Sequence, residues 1–271
     1  MQKTTFPIEI LVHDDASTDH SADIIREYTV QYPDLFKPIY QTENQYSKGV
    51  KVSATFQFPR AKGKYIALCE GDDYWTDPYK LQKQVDFLES HPEYVMCSHV
   101  CDKYLQNSGV KEENSNAEWA NKSYSLNDLV HGEWPFQTAT IVFTRKALDL
   151  KYFCSFRITM DIVLFYLLLK QGLGYSLADN MSVYRVHQGG SWSGLPSMTQ
   201  WKSFIEVRLS IYAKENTDAA AQLIRSILNV PIGRAFYLIN FQMMMRVLSI
   251  VKPHFGWGAV VWWFFNRVTV L

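Results

Sequence analysis

Apolar positions along the chain fall into two alternating rhythms. From Pro7 to Val12 they are mostly apolar and β-branched, and they stop at His13-Asp14-Asp15-Ala16-Ser17-Thr18-Asp19. Ala22, Ile24, Ile25 and Tyr28 then recur at helical spacing, so the pattern predicts strand, acidic loop and helix. Ser17 or Thr18 is the expected N-cap, and Pro33 ends the region. Lys37 to Gln41 reads as a short strand and Ser53 to Ala61 as helical. Lys64 to Cys69 is an apolar strand that runs into a second acidic group, Glu70-Gly71-Asp72-Asp73.

The same rhythm continues with an amphipathic helix over Lys80 to Glu89 and a strand over Tyr94 to Tyr104. Asn107 to Asn127 is polar and reads as a loop between two halves. A strand over Thr138 to Phe143 and a helix over Met160 to Lys170 follow, then Tyr175 to Ala178 and Val183 to His187, and the pattern is helical after Thr199. Alternating strands and helices predict an α/β fold: a mostly parallel sheet with helices on both faces and a helical C-terminal extension. Ligands of such sheets bind beyond the carboxyl ends of the strands, where both acidic loops fall.

Composition narrows the classes. Lys plus Arg (27) equals Asp plus Glu (27), so no overall field favours nucleic acid. Cys69, Cys97, Cys101 and Cys154 show no disulfide-scaffold spacing and no secretory leader precedes them, which predicts a reducing, cytoplasmic setting. Cys97-Ser98-His99-Val100-Cys101 sits in a predicted buried strand without a second ligand pair, which argues against zinc.

Chemistry concentrates at four places. Glu70-Gly71-Asp72-Asp73 supplies the hard oxygen donors that Mg²⁺ or Mn²⁺ takes beside phosphate oxygens and water, although alone it also reads as a solvated turn. Asp14 and Asp15 offer carboxylates to a nucleobase N–H or ribose hydroxyls, or simply form a helix-capping loop. Asp161 opens a strongly apolar helix: it is either a partly desolvated base or a plain N-terminal aspartate. In Tyr184-Arg185-Val186-His187-Gln188-Gly189-Gly190-Ser191-Trp192-Ser193, Arg185 or His187 can meet a diphosphate, and His187 can complete a metal shell. A surface turn is the plain alternative.

Taken in this order, Asp14 to Asp19, Glu70 to Asp73, Asp161 and Tyr-Arg-Val-His-x-Gly-Gly resemble the inverting glycosyltransferases with the GT-A fold, typified by bacterial surface-polysaccharide enzymes (family 2), over about Phe6 to Ser193. The resemblance implies a GT-A domain over 1–195, with a nucleotide-binding half 1–106 and an acceptor half 107–195, and a helical extension over 196–271. It also implies that Asp14 or Asp15 touches the base, that Asp72 faces ribose and metal, and that Asp73 ligates Mn²⁺ or Mg²⁺, with His187 a further ligand. Arg185 would meet the diphosphate. Asp161 would deprotonate the acceptor, and Trp75, Trp134 and Trp192 would face sugars. The implied donor is a nucleotide-diphosphate sugar, a UDP-sugar first, and the acceptor a glycan or lipid-linked glycan. Family members carry a first strand and helix ahead of the strand that here begins near Phe6, so a catalytically impaired remnant or binding module of the same fold stands as the alternative. The C-terminal stretch around Arg246, Lys252, Trp257, Trp262, Trp263 and Arg267 has an apolar run of about ten residues, short of the ~20 that span a bilayer; it reads as an interfacial helix or as a helix packed on the domain, and the first reading, the one preferred here, predicts peripheral contact with the inner face of the membrane.

Overall fold

In the computed structural model, which describes residues 1–229 and 245–256, the first apolar run becomes strand β1 (Ile10–Asp14), followed by helix α1 (Ser21–Gln31) and strand β2 (Phe36–Tyr40). The two strands pair in parallel, from Ile10 opposite Phe36 to Asp14 opposite Tyr40. Parallel neighbours need a crossover, and α1 provides it. The helix begins later than a Ser17 or Thr18 cap would place it: His20 is the N-cap residue, and Asp19 Oδ1 accepts the Ser21 N–H at 2.9 Å. That carboxylate satisfies a first-turn donor and lies at the positive end of the helix.

The chain continues through β3 (Tyr65–Ala67), β4 (Tyr74–Trp75), α2 (Lys80–Ser90), β5 (Tyr94–Leu105), β6 (Val110–Glu112), β7 (Lys122–Tyr124), α3 (Leu126–Val130), β8 (Val142–Thr144), α4 (Leu150–Cys154), α5 (Asp161–Leu169) and β9 (Leu173–Val186). Strands β3, β8, β5, β9 and β4 lie side by side in a second sheet, with β6 on β5 and β7 on β9. Its longest ladder is parallel, aligning β5 with β9 from Tyr94 opposite Leu173 to Leu105 opposite Val186. The remaining strands of this sheet are short and pair antiparallel. The parallel expectation therefore describes the two long ladders, β1–β2 and β5–β9, while the flanking strands reverse direction. Tyr175 to Ala178 and Val183 to His187, read as two pieces, belong almost entirely to the single strand β9.

Two further sequence readings change. The polar stretch from Asn107 to Asn127 is not a bare loop: it contains β6 and β7, and its end carries Ser125, which closes a capping box with Asp128 at α3. Thr138 to Thr140 form a 3₁₀ turn, so the strand starts only at Val142.

Helix α5 is the centre of the core. Ile162 to Leu169 are all buried, and a helix apolar on every side must be enclosed on every side. The Phe165 ring lies 5.4 Å from the rings of both Trp134 and Phe136, and Tyr124 meets Phe136 edge-on at 5.6 Å. A Cβ on Gly174 would come within 3.1 Å of Phe136 and 3.2 Å of Met96, so any side chain there would require these neighbours to shift.

After β9 come α6 (Ser197–Glu215) and α7 (Asp218–Arg225). With the helical residues 245–256 they bury Ile205, Leu209, Ile224, Val247 and Val251 in a cluster of their own. No described helix is long and apolar enough to cross a membrane. The predicted lipid-facing residues Trp257, Trp262, Trp263 and Arg267 lie outside the described residues.

Among the described residues no ladder joins the β1–β2 pair to the larger sheet. The carbonyls of Leu11 and Val12 accept instead from Gln57 Nε2 at 3.0 Å and Arg60 Nη2 at 3.1 Å. Between β1 and β3 opens a cleft of about 3630 Å³ that runs on to the carboxyl ends of the strands.

Candidate active site

Each acidic loop is built by the strand that feeds it. Asp14 ends β1 and is 5 % exposed; its Oδ1 is buried without a hydrogen-bond partner. Such an oxygen stands ready for a donor from outside the chain. Asp15 is committed internally: Oδ1 accepts the Gln45 N–H at 2.9 Å and Oδ2 the Tyr46 N–H at 2.8 Å. It anchors the 45–46 turn, so of the pair it is Asp14 that keeps an oxygen without a partner. Beside them His13 stacks on Phe56 at 5.1 Å and contacts Gln41 through Nε2 at 3.1 Å. Burial lowers its proton affinity, with Asp15 opposing.

The second loop follows β3 and enters β4, which pairs with β9 at Tyr74 opposite Val183. That pairing delivers the end of β9 to the carboxylates. The Arg185 backbone N–H donates to Asp73 Oδ1 at 2.9 Å, and His187 Nε2 lies 2.9 Å from Asp72 Oδ2. The Arg185 guanidinium donates to Gln106 Oε1 at 2.6 Å, so its backbone bonds the acidic loop while its charge acts on Asp73 without a direct contact. Within the loop the Asp73 N–H bonds Glu70 O at 3.2 Å.

Crowding of carboxylates shows in their proton affinities. Burial, with the charge of Asp72 adding and the Arg185 N–H opposing, raises Asp73 to about 6. Glu70 faces the open cleft, yet the protein walls strip enough water to raise it, with help from the charge of Asp73, to about 7. Two acids held above their usual range within four residues form a site that gains from a cation.

Asp161 is the first residue of α5, and its Oδ1 accepts the Ile162 N–H at 2.8 Å. Burial raises its proton affinity, while that backbone bond and the charge of Arg208 oppose. Asp161 is thus a desolvated carboxylate at the first position of a helix, bonded to the next backbone N–H.

The cleft wall includes Asp72, Asp73, Asp161, Arg185, Trp75, Trp134 and Trp192. Asp14, Asp15 and His187 lie off that wall, His187 behind Asp72. Trp192 is 38 % exposed and free to meet a ligand. Trp75 is a brace: its Nε1 donates to Ala139 O at 2.9 Å, and Lys80 Nζ lies 4.1 Å from the centre of its ring. Trp134 packs its ring on Phe165 and shows only part of itself to the cleft.

Sequence reasoning missed Arg157, Tyr184 and Arg208, which share the wall with Asp161. Arg208 carried a signal, since it stands between Val207 and Leu209 on a helix whose neighbours Ile205 and Ile211 are also buried. A charge on an apolar helical face is rarely buried unless something uses it.

As for a metal, no group of three or more His, Cys, Asp or Glu poised to hold one occurs among the described residues. Asp72 and Asp73 with His187 behind them fit an ion that takes few protein ligands and completes its shell with phosphate oxygens and water. Replacing Asp73 with Asn should lower the Glu70 midpoint from about 7 toward the ordinary carboxylate range. Side-chain carboxyl NMR measures this directly, and an unmoved midpoint would mean that the two acids do not sense each other.

Comparison with known proteins bears on the family of the chain. Residues 1–153 match the family model described as glycosyl transferase family 2. An uncharacterised protein of Mycobacterium tuberculosis is 35 % identical over 212 residues, covering 76 % of this chain and 58 % of its own length. An uncharacterised glycosyltransferase of Nostoc is 27 % identical over 209 residues, covering 73 % of this chain and 62 % of its own. A UDP-Glc:alpha-D-GlcNAc-diphosphoundecaprenol beta-1,3-glucosyltransferase of Escherichia coli is 32 % identical over 99 residues, 36 % of this chain and 37 % of that enzyme. The chain thus spans about three fifths of the length of the relatives it matches most extensively. An acidic loop at each of two strand ends, a sheet of the expected kind and a match over more than half of the sequence lead to one conclusion: the chain belongs to glycosyl transferase family 2.

Proposed function

We propose that this chain transfers a sugar from a nucleotide-diphosphate sugar, a UDP-sugar first among them, to a glycan or lipid-linked acceptor with inversion, in the synthesis of a cell-surface polysaccharide. The observation that carries the reading is the convergence of Asp72, Asp73 and Asp161 on one cleft, from loops far apart in sequence. The glucosyltransferase name of the Escherichia coli relative supports the choice of donor and acceptor class.

Asp72 and Asp73, with His187 beside Asp72, are the residues that would hold Mn²⁺ or Mg²⁺. Such an ion, when bound, neutralises a leaving diphosphate. Asp14 offers its unpartnered oxygen to the nucleotide. Asp161 takes the proton of the acceptor hydroxyl, whose oxygen bonds to the anomeric carbon as the bond to the diphosphate breaks on the opposite face and its electron pair leaves with the diphosphate. A carboxylate with raised proton affinity is a better base than one in bulk water.

A second reading, a donor-binding module without turnover, is favoured by one feature: β1 and β3 line the same cleft with no strand bridging them among the described residues. A donor-turnover assay separates the two. With several UDP-sugars, manganese-dependent hydrolysis that disappears in EDTA and in Asp73→Asn, and falls about a hundredfold or more in Asp161→Asn, is the expected result. A version extended at its N-terminus and assayed in parallel shows whether a further strand is needed. Silence of both lengths across all donors would leave the binding module.

A lipid-linked acceptor places the reaction at the cytoplasmic face of the membrane, where the basic aromatic C-terminus from Arg246 to Arg267 meets lipid. Because residues 245–256 cover Ile205, Leu209 and Ile224, the informative truncation is after Gly256. That version should lose co-sedimentation with anionic vesicles while keeping its unfolding midpoint. Equal co-sedimentation would remove the membrane contact from the account.

A further inference from the structure

Arg208 is a cation without a matching anion. It is 7 % exposed, on the face of α6 turned toward the cleft, and lines the wall that carries Asp161. Its guanidinium lies 3.3 Å from the centre of the Phe204 ring, and Nη1 donates to Phe204 O at 3.0 Å. Nε is buried and has no hydrogen-bond partner. No carboxylate among the described residues comes within 4 Å of it, although Asp161 is near enough to favour its charge. Arg157, exposed and also without an ion-pair partner among the described residues, lines the same wall.

A buried guanidinium with unused donors is costly unless a ligand completes it. Compensation of Asp161 accounts for the side chain only in part: the two charges favour each other at a distance, but neither an ion pair nor a hydrogen bond joins them among the described residues, and Nε stays without a partner. Phe204 holds the guanidinium plane by stacking, and the side chain is thereby fixed before any ligand arrives. Planar, fixed and rich in donors, it suits the oxygens of a phosphate group. The location matters as much as the chemistry: of the acids lining the cleft, it is Asp161, read above as the base for the acceptor hydroxyl, whose charge and that of Arg208 act on each other, so an anion at Arg208 is assigned to the acceptor. A sugar whose hydroxyl reaches Asp161 would carry a phosphate on its anomeric carbon about one ring's width away.

We propose that Arg208, assisted by Arg157, forms an acceptor subsite for the phosphate of a sugar linked through phosphate or diphosphate to its carrier. This rests on the transferase reading and narrows it, since a neutral glycan acceptor would leave the subsite unused. The lipid portion of such an acceptor plays no part in the argument, so a short-chain alkyl diphosphate glycan and a long-chain one are expected to use the subsite alike.

Two measurements on the full chain test it. In sugar transfer, Arg208→Gln should raise KM for an alkyl diphosphate glycan by about tenfold to a hundredfold, the range for losing a charge-assisted hydrogen bond. The same variant should leave KM for the matching neutral alkyl glycoside within about twofold, and Arg208→Lys should recover only part of the loss because it cannot bind in bidentate fashion. An equal loss with both acceptors, or a change confined to kcat and its pH profile, would show that Arg208 acts through Asp161 or the fold and would overturn the subsite. The second measurement needs no turnover: inorganic pyrophosphate titrated in EDTA should raise the unfolding temperature of the parent chain and not that of the Arg208→Gln, Arg157→Gln double variant. Identical protection of the two, or none in the parent, would also overturn it. If sugar transfer fails with every acceptor while the pyrophosphate effect depends on these arginines, the transferase reading falls and the anion site stands.

Discussion

Everything at the candidate site depends on one strand end meeting one loop. Strand β9 stays in its long parallel ladder with β5 on one edge, pairs briefly with β4 on the other, and in doing so sets the Arg185 N–H on Asp73 and the His187 ring beside Asp72. Carboxylates gathered at one place repel each other and resist desolvation, which is why Glu70 and Asp73 hold their protons above the usual range. Burial is the larger cause and the neighbouring charges the smaller, and the loop that bears both is strapped to β9. The strap is a backbone N–H and an imidazole, and the backbone part does not change its charge with pH.

The opposite wall solves a related problem in a different way. Asp161 is desolvated at the mouth of an enclosed apolar helix and keeps one backbone N–H of its own. Burial makes it more basic, while Arg208 at a distance limits how far. The acidic loop and Asp161 thus line one cleft in different charge environments. Arg208 stands on α6, in a part of the chain beyond the residues matched by the family model.

Much of this was legible in the residues. The period of apolar positions located β1, α1, α2, β5 and α5 to within a few residues, because each buries a face or a whole circumference. Both acidic loops were found from charge density at strand ends. The strand reversals were not legible: β6, β7 and β8 are three residues each, too short for a period to declare itself among polar neighbours. Pairwise roles also escaped. Nothing in Asp14-Asp15 says which carboxylate is spent on the Gln45 and Tyr46 amides, and the tryptophans at 75 and 192 look alike until one is seen bonded to Ala139 and the other exposed. Arg208 was overlooked because a lone charge in a helix reads as solvated unless the phase of its apolar neighbours is followed.

The central claim is that a nucleotide diphosphate and a divalent ion meet at Asp72 and Asp73, facing Asp161 across a single cleft. Diffraction from crystals soaked with UDP and Mn²⁺, collected at the manganese edge, addresses it most directly. The account predicts an anomalous peak in contact with Asp73 or Asp72 and with the diphosphate oxygens, and the uridine toward Asp14. UDP bound away from these carboxylates, or manganese bound elsewhere in the cleft, would contradict it.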